Sequence, residues 1–287
     1  MLQYLVQGIL LGGLYAIIGI GMSLVFGIMR LTNLAHGDLM ILSSYTALTF
    51  CELLGGNLIL AAILTIITMI IVGFFIQGFL LNNILDKGSE PALLVTFGVS
   101  VFLANLLHKI FSADYRGLAN SLSNTKVIST PAVSISAMYL FSFLVAILLI
   151  TGLHLVMQYT NFGRSIRATS DNAMAASLTG VNTKKTYIYA MMLSMGVTAV
   201  SGVLIGCTYT FNASVGSSYL IIAFGVVVIG GMGSLVGTLV GGIVLGVAQL
   251  LGSYFFGSGV QMLVAYVVLL IVLATRPNGL FARGARK

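Results

Sequence analysis

Apolar runs separated by short polar joins make up almost the whole chain. Residues 5–29, 58–80, 91–107, 134–158 and 187–207 each read as an apolar helix long enough to cross a bilayer. In the first run Gly8, Gly12 and Ala16 lie four apart, and Gly13, Ile17 and Gly21 repeat that spacing with one large residue between. Small residues at this interval let helix backbones approach closely in lipid. Two segments depart from the pattern. The run 39–54 is about 24 Å long as a helix, short of the ~30 Å hydrocarbon core. Part of the polar segment before it, with Asn33, His36, Gly37 and Asp38, therefore has to enter the membrane. Gly37 stands between the two ionisable residues, and a helix break is expected there, in a place where broken helices line cavities or are buried in protein. Either this segment lines a transport path, or His36 and Asp38 bond each other and the backbone groups freed at the break. The second departure is the run 219–229, too short to cross, followed by Gly230, Gly231, Met232, Gly233 and Ser234 and then by the run 235–256. Gly233, Gly237 and Gly241 lie four apart, which favours a hairpin or re-entrant pair packed through glycine over one long, kinked span. A last run, 260–274, ends at Arg276-Pro277.

The longest hydrophilic interruption of the second half is the stretch from Gly163 to Asn182. It joins two full spans and so lies outside the membrane. Ser170 or Asp171 can cap a helix start by accepting from free N–H groups, and Gly180 can end the helix in the left-handed conformation. About two turns fit between them, with Met174, Leu178 and Val181 on one face and alanines narrowing the rest. A short, smooth, cationic helix at a membrane surface suits the grip of another protein; the other reading is a solvated loop whose basic residues only set topology.

Composition agrees with the pattern: 59% of the 287 residues are hydrophobic and 7% charged, against about 25% charged in soluble domains. The fold class that follows is an all-α integral membrane protein, a single polytopic helical bundle over residues 1–287 with broken or re-entrant helices. Residues 1–3 carry no basic n-region and the first apolar run is too long for a cleaved signal peptide. The net charge of +7 sits between spans and at the C-terminus, as topology would use it, and is no nucleic-acid signal. Cys51 and Cys207 have no metal-ligand spacing and read as packing residues. No phosphate-binding loop, H-E-x-x-H or G-x-S-x-G is present, so neither a metal, a cofactor nor a catalytic residue is expected.

Parity then orders the joins. With the stretch 163–182 and the basic tail (Arg276, Arg283, Arg286, Lys287) in the cytoplasm, residues 82–90 are also internal, while 51–57, 108–131, 212–218 and the N-terminus are external. The net charge of the 108–131 loop is the one feature against this order.

Three stretches together resemble the permease subunits of ABC importers for branched-chain amino acids, of the high-affinity leucine/isoleucine/valine type. They are Gly12-Gly-Leu-Tyr-Ala16 through Val25-Phe-Gly27 into Asn33-Leu-Ala-His-Gly-Asp38; Gly163-Arg164, Arg167-Ala168 and Ala175 to Gly180-Val-Asn182; and Val228-Ile-Gly-Gly-Met-Gly-Ser234 with the glycine-rich span behind it. The chain departs from the family in the join after the third span, where relatives often carry a basic run and this chain has Asp86-Lys-Gly-Ser-Glu90. The resemblance implies an importer in the bacterial or archaeal cytoplasmic membrane. Two permease subunits, this chain and a paralogue, would form the path. Two ATP-binding subunits would dock on coupling segments, here Gly163, Arg164, Arg167, Ala168, Asp171, Ala175, Leu178, Gly180 and Asn182, and an external binding protein would deliver substrate. Permeases for urea and short amides share these motifs. An ion-coupled secondary transporter is the rival class, but it usually needs acidic residues within its spans and only Asp38 qualifies.

Overall fold

The computed structural model describes residues 1–85, 88–118, 125–129 and 134–281. It is a helical bundle with one small hairpin. The helices are α1 (Leu2–Met29), α2 (His36–Leu53), α3 (Leu58–Phe75, continued by a π turn, Ile76–Leu81), α4 (Ser89–Phe111) and α5 (Ala137–Tyr159). They are followed by α6 (Asn161–Asp171), α7 (Ala173–Leu178), α8 (Thr183–Thr208), α9 (Gly216–Gly230), α10 (Leu235–Phe256) and α11 (Gln261–Thr275). Strands β1 (Lys126–Ser129) and β2 (Ser134–Ser136) pair antiparallel ahead of α5. Among the described residues seven helices are long and apolar enough to cross a membrane: α1, α3, α4, α5, α8, α10, and α11 with the short 3₁₀ turn before it.

Burial ranks these helices. The most apolar window of α1 is 89% buried, whereas that of the last span is 11% buried. The first helix is therefore the centre of the bundle, and α3, α4, α5 and α11 present exposed Ile, Leu and Phe side chains outward, as lipid requires. The small residues of α1 explain its central place. Its Gly8 and Gly12 face Gly246 and Gly242 of α10, antiparallel, and a Cβ on Gly12 would stand 2.4 Å from the Cα of Ile243. Only hydrogen-sized side chains permit that crossing.

The pair α9–α10 forms a hairpin. A Cβ on Gly237 would lie 2.1 Å from the carbonyl oxygen of Gly230, and one on Gly241 2.3 Å from that of Val226. Gly231 and Gly233 have positive φ (99° and 82°) and belong to the turn itself, and the Cα of Gly233 rests against Gly27 of α1.

Contacts sort the joins into two ends. At one end lie α7, the end of α1, the α9–α10 turn, Asn82, which donates to the carbonyl of Lys184 at 3.3 Å, and the tail, where Leu280 N–H donates to Ile229 at 2.9 Å. At the other lie Tyr4 beside Tyr254 (ring centroids 5.1 Å) and Arg116, bridged to Phe211. Residues 86–87, 119–124 and 130–133 and the tail residues Arg283, Arg286 and Lys287 lie outside the described residues, and so do the expectations placed on them.

Two expectations are corrected by the fold. The break before α2 is at residues 30–35, not at Gly37. Arg30 closes α1 in the left-handed conformation (φ 52°), and the next helix starts at His36 because Asn33 ties its beginning. The stretch after Gly163 holds two helices rather than one. Ser170 and Asp171 are the last residues of α6, and Asn172 starts α7 by accepting from Ala175 N–H at 3.0 Å. Asn172 is extended (φ −155°), a cap conformation that the helical Ser170 and Asp171 do not have.

Candidate functional site

The polar segment before α2 is buried and bonded. Asn33, His36 and Asp38 are 1%, 1% and 6% exposed. The Asn33 side chain accepts from Ala35 N–H at 3.0 Å, and its carbonyl accepts from His36 N–H at 3.2 Å. His36 and Asp38 do not pair, because two residues apart on a continuous helix they point to different sides. The Nε2 of His36 reaches the carbonyl of Ile18 at 2.9 Å, and Asp38 accepts from the Ser100 hydroxyl of α4 at 2.5 Å. Gly37 fills a different role. Its Cα meets the backbone of Gly216, the first residue of α9, and Gly216 in turn packs on the Asp38 carboxylate.

That contact places the start of α9 inside the bundle. Ile18 lies eleven residues before the end of α1, about 16 Å in from the α7 end. After α8 the chain does not stay at the surface. Phe211 packs edge-on against Tyr45 of α2 (5.0 Å), Arg116 bridges it, and the chain descends along α2 to Gly216. The expectation that 212–218 is simply an external loop is thus incomplete. Ser217 and Ser218, in the first turn of α9, stand exposed at the depth of Asp38. Toward the opposite end Tyr139 and Tyr209 share a hydroxyl contact of 2.9 Å, and Tyr15 donates to Gln249. This polar group escaped the sequence reading because its members come from five separate segments. The one available signal was an uncharged, serine-rich join ahead of a helix too short to cross.

The stretch 163–182 forms a surface at the α7 end. Gly163 is buried where the chain turns from α5 into α6, with no room for a Cβ beside the Met157 carbonyl (2.2 Å). Arg164 bonds Asn161, and Arg167 bonds the Met157 carbonyl. Ser170 donates to the carbonyl of Gly27 at 2.8 Å, tying α6 to the end of α1. Apart from the buried Ala176, most of the stretch faces out. Ala168, Asp171, Ala175, Gly180 and Asn182 are exposed, and Met174 and Leu178 are 76% and 84% exposed. Gly180 (φ 89°) ends α7, with Val181 N–H returning to Ala176 at 3.1 Å, and Asn182 caps α8 by accepting from Lys185 N–H at 3.0 Å.

Comparison with known proteins decides the class. The family described as "Branched-chain amino acid transport system / permease component" matches residues 4–273. The chain belongs to this family. It is 31% identical to the high-affinity branched-chain amino acid transport system permease protein BraD of Pseudomonas aeruginosa, over 98% of this chain and 96% of that protein. It is 29% identical to the LivH permease of Escherichia coli over the same shares. A probable LivH permease of Methanocaldococcus jannaschii is 25% identical over 93% of this chain and 87% of its own length. The chain is therefore a membrane-spanning permease component of an ABC importer, and the two surfaces above belong to a transport subunit rather than to an enzyme.

Proposed function

We propose that this permease carries branched-chain or closely related amino acids inward, with a second permease subunit completing the path. Two ATP-binding subunits dock on the α6–α7 surface, and an external binding protein delivers substrate at the opposite end. The observation that carries the reading is α7 itself: a capped helix with two large apolar side chains and Ala175 turned to solvent, joined through Ser170 to the central helix. Such a helix gives a docked partner direct mechanical access to α1. Arg30, Arg164, Arg167, Lys184, Lys185 and Arg276 gather at this end, against Lys109, Arg116 and Lys126 at the other, which favours a cytoplasmic α7 end and C-terminus in a bacterial or archaeal cytoplasmic membrane.

The path in this reading runs by the start of α9. Exposed serines at that depth are costly against lipid and inexpensive against water or a partner subunit. Asn33, His36, Gly37 and Asp38 then serve the path by fixing where α9 begins. Substrate names on the relatives favour branched-chain amino acids; urea and short amides are the alternative within the same architecture. The test is uptake of labelled leucine into vesicles holding the whole importer, competed with isoleucine, valine, alanine and urea. Competition by isoleucine and valine but not urea is expected. Competition by urea alone replaces the substrate, and uptake driven by an ion gradient without ATP removes the class.

A further inference from the structure

Beside the docking surface, at the α7 end, a cleft of about 520 Å³ opens between the last turns of α1 and α5, helix α6 and the start of α10. Its chemistry is divided. Met157, Ile166 and Leu24 give it apolar walls, and Arg167 supplies a cation at the side of α6. Leu235 and Val236, the first residues of α10, also line it. The capping hydroxyl of Ser234 takes the amide of Gly237 at 3.1 Å, and the first-turn N–H groups of Leu235 and Val236 have no acceptor among the described residues. Amides at the start of a 22-residue helix carry a positive end suited to an anion. An independent sign of a ligand is Ser23. It lines the cleft one turn deeper than Gly27, is 1% exposed, and its hydroxyl has no hydrogen-bond partner among the described residues. A buried hydroxyl left unpaired is costly, and an added acceptor would remove that cost.

The position says which anion. The cleft lies at the level where α5 turns into α6, which is headgroup level for a helix that ends there. Leu148 (70% exposed), Leu155 (49%) and Tyr159 (75%) face outward from α5 on a different side from Met157 and Gln158, so the helix that walls the cleft also borders lipid. We propose that this cleft holds the phosphate of an acidic phospholipid, with Arg167 and the α10 amides as donors and an acyl chain leaving along α5. The bound lipid would join α6 to the α9–α10 turn and so stiffen the piece through which a docked partner acts.

Native mass spectrometry of the assembled importer, released from mixed phosphatidylglycerol and phosphatidylcholine, tests this independently of transport. Phosphatidylglycerol should be retained in preference, and Arg167→Gln should weaken that retention about fivefold, the effect of one basic side chain at an anionic surface. Val236→Trp, at the exposed mouth of the cleft, should also expel the lipid while leaving the charge intact. Lys185→Gln, at the same end but outside the cleft, should change nothing. Equal retention of the two lipids, or an equal loss in Lys185→Gln, overturns the proposal. Displacement of the lipid by excess inorganic phosphate or leucine also overturns it, since the cleft would then be a small-anion site.

Discussion

Gly37 of α2 and Gly216 of α9 touch backbone to backbone: a Cβ on Gly37 would stand 1.9 Å from the Gly216 carbonyl oxygen. Asp38, from the same turn as Gly37, packs on Gly216 and is itself held by Ser100. The contact is what fixes a short helix to begin inside the membrane.

Even the smallest substitution at Gly37 should therefore be damaging. Gly37→Ala is expected to cost about 1–3 kcal/mol through overpacking, and Gly37→Val to prevent α9 from seating. Gly98→Ala in α4, where a Cβ meets nothing within 4 Å, is the matched control and should be neutral. Thermal unfolding in detergent and uptake at equal membrane levels measure both.

His36 should matter as a donor rather than as a charge. Its ring reaches a carbonyl of α1, and no carboxylate among the described residues bonds it. His36→Gln keeps an N–H donor and is expected to retain most uptake. His36→Leu leaves the His36 contact to Ile18 unmade and should lose about 1–3 kcal/mol of stability. Equal damage from both, with an uptake pH profile that shifts in His36→Gln, would point to a titrating histidine instead.

The two ends of the bundle should face opposite compartments. In a background without Cys51 and Cys207, a cysteine at Ser177 is expected to react only with cytoplasmic reagent and one at Gly56 only with external reagent; both positions are exposed. A cysteine at Ser217, at the start of α9, should react with small water-soluble reagents and not with lipid-phase ones. Reaction of Ser177→Cys and Gly56→Cys from one side would overturn the order of the helices.

Much of this was legible in the sequence, because lipid leaves few options. Apolar runs of spanning length located the long helices, and four-residue glycine spacing anticipated a close approach of α1 to some neighbour, without naming α10, and the folding of α9 back on α10. What the sequence hid depended on partners far away in the chain. Gly37 resembles a hinge until Gly216 is placed against it. Ser170 resembles a cap until its hydroxyl is seen on Gly27, which leaves Asn172 to start α7. The polar join 212–218 looks like a surface loop because nothing local records that Phe211 is held against Tyr45.

Gly180 should be needed for its backbone alone. Its φ of 89° is strained for any side chain, although a Cβ would meet nothing within 4 Å. Gly180→Ala is expected to lower transport through loss of the α7 turn, and Gly180→Asn, which tolerates the left-handed region, to recover part of it. Uptake rates at matched expression separate the two variants.

The central claim, that force enters this permease through α7, is tested most directly by ATP hydrolysis in vesicles holding the assembled importer. Ala175 is exposed on α7. Ala175→Trp should leave the protein folded and inserted yet abolish the stimulation of hydrolysis by loaded binding protein, together with uptake. Wild-type stimulation and uptake in that variant would contradict the account.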